Sequence, residues 1–426
     1  MQPNYLLAND NELEKQSNLL SECRLQYKKC TTEILDSVDK FFKNYEADEK
    51  LCLEKIGTIQ NVEYQYIDCQ DQLIKCKGEG DLISTRINSG DNIELVEGNP
   101  VKNGVSQLTL NVIKQEVSSI PKLKSLLIAR NNKLIFEEYY SQKDSQYPHH
   151  VWSVTKSVMA LLTGIAIDKN YITSEDTNIN SYFPEYFEGD HDQRKDDISI
   201  KDVLTMTTGI NFTDNNNWYD WGSYEPYPRD DNARDWILNY GMLLNYQPGE
   251  VWLYGSPNTD LLSSIINSST GMTTLEFAEK YLFEPLNIKN YFWVHDSEEN
   301  YYGGFMLYLR PRALMQIGQM VLNNGAYDGK QIVSSEWINR ALASHSELGG
   351  EEGFAYGYLW WRFRVGNYQV ISAFGYGGQL ITLVPELDLI ITTTSDSSSS
   401  CTKASVDDQF DAVLDLVRTV ILTIKK

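Results

Sequence analysis

The sequence predicts an α+β fold, an antiparallel sheet flanked by helices with a helical subdomain, preceded by an N-terminal α-helical hairpin. Three observations lead there. Residues 1–80 have no glycine before Gly57 and repeat apolar side chains every seven positions, the spacing of paired helices. Residues 125–139 read as two strands around Asn131-Asn132 and lead into a strongly apolar helix starting near Val151. Near the end, Gly357–Val365, Tyr368–Phe374, Gln379–Val384 and Leu387–Thr394 are short β-rich runs separated by Gly and Pro, the pattern of consecutive antiparallel strands.

In chain order, the first element is the hairpin. Leu20, Tyr27, Ile34 and Phe41 mark one helix, and Cys52, Ile59, Tyr66 and Leu73 the other, with a turn near residues 44–50. Such a hairpin is a candidate surface for self-association. Cys23 and Cys30 are seven apart, as are Cys69 and Cys76, and a turn near residue 49 brings Cys23 opposite Cys76 and Cys30 opposite Cys69. Two readings fit: a pair of inter-helix disulfides, which implies an oxidising compartment, or cysteines buried as small apolar residues in the helical seam. Cys52 has no partner in this scheme. The first residues show no basic segment followed by an apolar stretch, so the periplasmic or secreted location that disulfides favour over a cytoplasmic one requires a leader that this sequence does not display.

The hairpin over 1–80 is followed by an expected linker at 81–105, rich in Gly and charge, and then by a domain expected over 106–426. Leu108–Val117 reads as its first helix. The middle, about 165–340, reads as helices joined by long loops, among them Asp214-Asn-Asn-Asn-Trp and the aromatic stretch Trp218–Tyr227. Asp407–Ile424 has the apolar spacing of a closing helix. The aromatic stretch, with Trp360 and Trp361, fits an apolar substrate pocket or the packing of a loop onto its domain.

Composition narrows the function. An apolar content of 42% suits a chain that buries a core, and no apolar run reaches the roughly 18 residues of a membrane span, so no integral membrane segment is expected. A net charge of −22 disfavours nucleic acid and anionic membranes as partners. The five histidines are scattered and no Cys-x-x-Cys pair occurs, so no metal site is expected.

The chemistry starts at Val151-Trp-Ser-Val-Thr-Lys. Ser153 and Lys156 are three apart at the head of an apolar helix, which puts hydroxyl and amine on one face. A serine hydroxyl is a weak nucleophile until a neighbouring base takes its proton, and a lysine beside it can do so. Taken alone, this spacing is more often ordinary helix surface.

Four further stretches add weight: Ile198-Ser-Ile-Lys-Asp-Val-Leu-Thr-Met-Thr-Thr-Gly-Ile, Pro248-Gly-Glu-Val-Trp-Leu-Tyr-Gly-Ser-Pro-Asn, Glu284-Pro-Leu-Asn-Ile and Gly375-Tyr-Gly-Gly-Gln. In this order the motifs resemble the serine β-lactamase and penicillin-binding-protein superfamily, which carries the Ser-x-x-Lys motif. They resemble in particular its class C-like branch, with its esterases, amidases and 6-aminohexanoate-dimer hydrolases. The likeness covers about 120–425 and not the hairpin. It implies a β-lactamase/transpeptidase-like fold and a serine hydrolase that cleaves a small-molecule ester or amide through an acyl-enzyme on Ser153, with Lys156 and Tyr254 as proton carriers and no cofactor. It further implies an oxyanion hole from the backbone N–H groups of Ser153 and Gln379, and substrate contacts at Tyr376, Gly377, Gly378 and Ser256.

Two departures from that pattern bear on substrate. Tyr376-Gly377-Gly378 stands where many penicillin-recognising members have Lys-Thr-Gly, which removes the cation that an anionic β-lactam or peptide terminus needs. Ser256 stands where the Tyr-x-Asn form has asparagine. The alternatives to an ester or amide hydrolase are a β-lactamase or D,D-peptidase acting on cell-wall peptides, and an assembly-forming scaffold that keeps the fold.

Overall fold

In a computed structural model of the chain, the described residues are 95–424 apart from 121, 141–144, 146–147, 190, 213, 215–232, 242–243, 297–298 and 397–402. They belong to the second of the two units into which the chain divides, Ile93–Lys426. The expected hairpin over 1–80, with the pairings Cys23–Cys76 and Cys30–Cys69, and the aromatic stretch 218–227 lie outside the described residues.

The described chain begins with α1 (Gln107–Val117), β1 (Leu123–Arg130), β2 (Lys133–Tyr139), the short β3 (His149–His150) and α2 (Val154–Asp168). The helical middle follows, with α3 (Ile200–Leu204), α4 (Ser256–Thr270) and α5 (Thr274–Ala278), and then β4 (Tyr291–Trp293), β5 (Leu307–Leu309) and α6 (Pro311–Leu322). A small hairpin, β6 (Ala326–Tyr327) and β7 (Lys330–Gln331), precedes α7 (Ser335–Ala341). The chain then runs through β8 (Ser346–Gly349), β9 (Phe354–Tyr356), β10 (Trp361–Val365), β11 (Tyr368–Gly375), β12 (Gln379–Val384) and β13 (Leu389–Ser395) to the closing helix α8 (Lys403–Thr423).

Eight strands form the main sheet, in the order β2-β1-β13-β12-β11-β10-β9-β8, and every neighbouring pair is antiparallel. The β1–β2 turn follows from its sequence: Asn131 and Asn132 both take positive φ, 52° and 57°, as a two-residue hairpin of the right twist requires. β1, β12 and β13 are buried almost throughout, so none of them shows an apolar/polar alternation, and β13 buries Thr392–Ser395 along with its apolar residues. One core joins the sheet to α1 and α8 through Ile113, Val117, Leu126, Ile128, Val413 and Val417. On α6, Gly318 lets the helix settle onto Ile381 and Ile390 of the sheet.

One expectation is corrected. Residues 95–105, read as the end of a linker, pair with the main domain: Gly98 N donates to Leu134 O at 2.8 Å, Leu134 N donates to Val96 O at 2.8 Å, and Arg130 donates to Asn103 O. Leu95 and Val105 are buried, so the few apolar residues among the polar ones anchor this stretch to β2. The three-stranded sheet β3-β5-β4 was not foreseen, because strands of two or three residues carry no readable alternation.

Helix α2 is buried on all sides from Val154 to Ala166, as an all-round apolar helix must be. Its tightest contact is at Gly164, where an added Cβ would lie 2.2 Å from the ring of Trp337, itself buried and donating to Ala160 O at 3.0 Å. Gly164→Ala should therefore destabilise the domain by about 1–3 kcal/mol through overpacking. Urea unfolding of the two proteins reads this directly, and equal midpoints would mean that Trp337 yields without cost.

Candidate active site

Ser153 sits at the head of α2 as the N-cap residue, yet its hydroxyl caps nothing. An N-cap serine ordinarily accepts a hydrogen bond from a first-turn N–H. Here Ser153 Oγ accepts from Lys156 Nζ at 2.9 Å instead. The preceding residue, Trp152, is held at φ 49°, an uncommon conformation for a bulky side chain. It is fixed by stacking on His150 at 4.1 Å, by the edge of Tyr376 at 5.1 Å and by the Thr155 hydroxyl donating to its carbonyl at 2.6 Å.

Lys156 is almost fully buried and has three acceptors, one for each ammonium proton. These are Ser153 Oγ at 2.9 Å, Ser256 Oγ at 2.9 Å and Gly304 O at 2.8 Å. Asp214 Oδ2 lies 3.5 Å from the amine. The Tyr254 ring centre is 4.8 Å from Lys156 Nζ, and the Tyr254 hydroxyl interacts with both Ser153 and Lys156. Burial pushes that hydroxyl above the ordinary tyrosine range, against the opposing pull of Lys156. Ser153, Lys156 and Tyr254, separated by up to about a hundred residues in the chain, thus meet at one point.

Ser256 is buried at the first turn of α4, behind Lys156, and its hydroxyl accepts from Lys156 and donates to Asp214 Oδ2 at 2.9 Å. It thereby links the lysine to the Asp214 carboxylate. Asp214 was read only as part of a polar loop. Its carboxylate also accepts the Ser256 N–H at 2.8 Å, and its own N–H donates to Tyr254 O at 2.9 Å.

The Gly304 carbonyl is held in turn by Asp260, which accepts the Gly304 N–H at 2.8 Å. The pair Gly303-Gly304 is required by close approach, since a Cβ on Gly303 would lie 2.2 Å from Thr259 O and one on Gly304 2.7 Å from Ser256 Cβ. Adjacent glycines between aromatic residues were the signal available in the sequence.

The last motif is the turn between β11 and β12. Gly377 and Gly378 take φ of 74° and 97°, and a Cβ on Gly378 would meet Val413 of α8 at 2.8 Å. Backbone shape therefore requires both glycines, and packing against α8 requires Gly378. Both are buried, whereas Tyr376 is partly exposed. The Gln379 side chain points away from the serine, with its amide bonded both ways to the Ser395 backbone at 2.9 Å. Gly375 brings this turn against the serine segment, because a Cβ there would lie 2.3 Å from Val151 O.

Other aromatic residues surround the network. Trp361 packs on Tyr254 at 5.6 Å and on Trp252 at 5.7 Å, whereas Trp360 is fully buried and belongs to the core. His150 is pushed down to about 3 by burial, and its Nε2 accepts the Met306 N–H at 3.1 Å. It is a neutral stacking element.

The sequence pattern of the beta-lactamase family matches residues 124–415, more than half of the chain, and the chain belongs to that family. Among individual relatives it is 26% identical over 320 residues to a 6-aminohexanoate-dimer hydrolase from Paenarthrobacter ureafaciens, covering 70% of this chain and 78% of that one. Its fold is shared with EstCE1, a hydrolase with promiscuous acyltransferase activity, at a TM-score of 0.57 and 13% identity over 72% of this chain and 97% of that one. It is shared likewise with a D-stereospecific amidohydrolase from Streptomyces, at a TM-score of 0.55 and 14% identity over 70% and 96%. These likenesses support a hydrolase of the amidase, esterase and penicillin-binding-protein type.

The buried acid behind the site predicts a pH effect on stability. Burial pushes Asp260 up to about 8, against the Gly304 N–H and the charge of Lys156, with Asp214 reinforcing the rise. The folded chain therefore holds this proton while the unfolded chain releases it above about pH 4. Its contribution is full below that pH, declines as pH rises and is gone above about 8. Asp260→Asn keeps an acceptor for Gly304 N–H and cannot ionise, so its Tm should fall less than the wild-type Tm between pH 5 and 8. Parallel Tm profiles would contradict this.

Proposed function

We propose that this chain is a serine hydrolase that cleaves small esters or amides through an acyl-enzyme on Ser153. The observation that carries this reading is the uncapped Ser153 hydroxyl, 2.9 Å from a buried lysine amine. Ser153 Oγ attacks the substrate carbonyl while Lys156 relays its proton, and Tyr254 donates a proton to the departing alcohol or amine. Water then enters the same network in reverse and releases the acid. Backbone N–H groups of Ser153 and Gln379 stabilise the oxyanion, a reading supported by the close approach of the β11–β12 turn to Val151.

The substrate class follows from what surrounds the serine. Tyr376 takes the place of the motif cation, Trp152 and Tyr376 flank one side of the site, and Tyr254, Trp252 and Trp361 cluster together. Aromatic surfaces of this kind suit an apolar acyl or leaving group, and the overall charge of −22 repels anions. The named activities of the dimer hydrolase and of EstCE1 fit the same class.

Hydrolysis of an uncharged chromogenic ester by wild type and by Ser153→Ala tests the proposal, with intact mass taken after a fluorophosphonate. Wild type should turn over and gain one label; the variant should lose at least about a thousandfold in rate and gain none. Turnover that survives in Ser153→Ala rules the reading out. Stoichiometric capture of a labelled penicillin at Ser153, with slow ester hydrolysis, would favour the cell-wall alternative instead.

A further inference from the structure

The three acceptors around Lys156 raise a chemical problem. An ammonium with all three protons committed has no lone pair with which to take the Ser153 proton. One proton must leave first, and the structure contains a route for it. Ser153 Oγ, Lys156 Nζ, Ser256 Oγ and Asp214 Oδ2 form an unbroken chain of contacts, each 2.9 Å. The direct path from Lys156 to Asp214 is longer, 3.5 Å, so Ser256 is the bridge. Lys156, Ser256 and Asp214 are all buried, which shields the route from bulk water. Asp214 is clamped at both ends, by the Ser256 N–H on its carboxylate and by its own N–H on Tyr254 O.

We propose that Asp214, acting through Ser256, is the proton acceptor that converts Lys156 into a base, so that the working unit is a four-member relay Ser153–Lys156–Ser256–Asp214. This inference rests on the reading of Ser153 as nucleophile. Lys156 passes one proton to Ser256 Oγ as Ser256 passes its own to Asp214 Oδ2, which leaves a neutral amine and a neutral carboxylic acid. The amine then takes the Ser153 proton as the bond from Oγ to the acyl carbon forms. When the bond to the leaving group breaks, Tyr254 protonates that group. Lys156 refills Tyr254, and Asp214 returns its proton through Ser256 to Lys156. The net result is transfer of the Ser153 proton to the leaving group, with Lys156, Tyr254 and Asp214 in their starting forms. Asp214 and Ser256 are positioning residues, since neither meets the substrate.

Acylation in the full-length chain, read as kcat/KM on a chromogenic ester in mixtures of H2O and D2O, tests the relay. Wild type should give a curved proton inventory, because more than one proton is in flight. Asp214→Asn and Ser256→Ala should each lower kcat/KM by about 10²-fold and give linear inventories, while Asp214→Glu restores part of the rate. Variants within threefold of wild type, or inventories that stay as curved as that of wild type, overturn the proposal. If Asp214→Asn does not fold, Ser256→Ala decides by the same criteria. A wild type that labels at Ser153 but has a linear inventory removes the relay and leaves the serine reading intact. A wild type that neither labels nor turns over removes both.

Discussion

The constraint on which the site depends is the burial of one ammonium group. Removing a charge from water is costly unless its hydrogen bonds are replaced and an opposite charge lies near. Lys156 meets both conditions with Ser153, Ser256, Gly304 and Asp214. Each partner comes from a different part of the chain, so the network forms only when α2, α4, the loop at 303–304 and residue 214 have all docked. The lysine is thus a point of assembly. The glycine pair at 303–304 and the buried Asp260 are consequences of this demand, because they bring a backbone carbonyl within reach of an amine that water cannot serve.

The serine is held by different means. Behind it lies the polar network; beside it runs a line of stacked rings from Phe292 through Tyr308 and His150 to Trp152, ending at the edge of Tyr376. This line connects the small sheet β3-β5-β4 to the turn between β11 and β12. It explains how Trp152 keeps an uncommon backbone conformation, with the buried His150 as one of the stacked rings. The small sheet, besides burying Trp293, Leu307 and Leu309, thereby fixes the entry into α2.

Much of the fold was legible because its signals are local. The turn at Asn131-Asn132, the β-rich runs of β1, β12 and β13 and the closing helix all follow from a few consecutive residues. Ser153 and Lys156 were legible for the same reason, being one helical turn apart. Tyr254 needed the family likeness, since nothing beside it in sequence marks its meeting with Lys156. Asp214 was not legible: it sits in a polar run with the appearance of an ordinary loop, and its meaning depends on Ser256, 42 residues away. The bonds of Ser256 to Lys156 and Asp214 were not legible either, because the burial that brings them together is a property of the whole fold. Residues 95–105 were mistaken for a linker because two buried apolar side chains, Leu95 and Val105, make no periodic pattern.

The replacement of the motif cation by Tyr376 fits this division of labour. The positive charge at the serine belongs to Lys156, and its three donors are directed at Ser153, Ser256 and Gly304. A substrate anion would have to compete for donors on which the buried charge depends. An aromatic residue at position 376 makes no such demand; it closes the stacked line beside Trp152 and offers an apolar surface near Ser153. In the reading proposed above, selectivity then arises from shape and apolar contact at the mouth of the site, and the electrostatic work stays behind the serine, where the buried lysine and its carboxylate neighbour can exchange charge without involving the substrate.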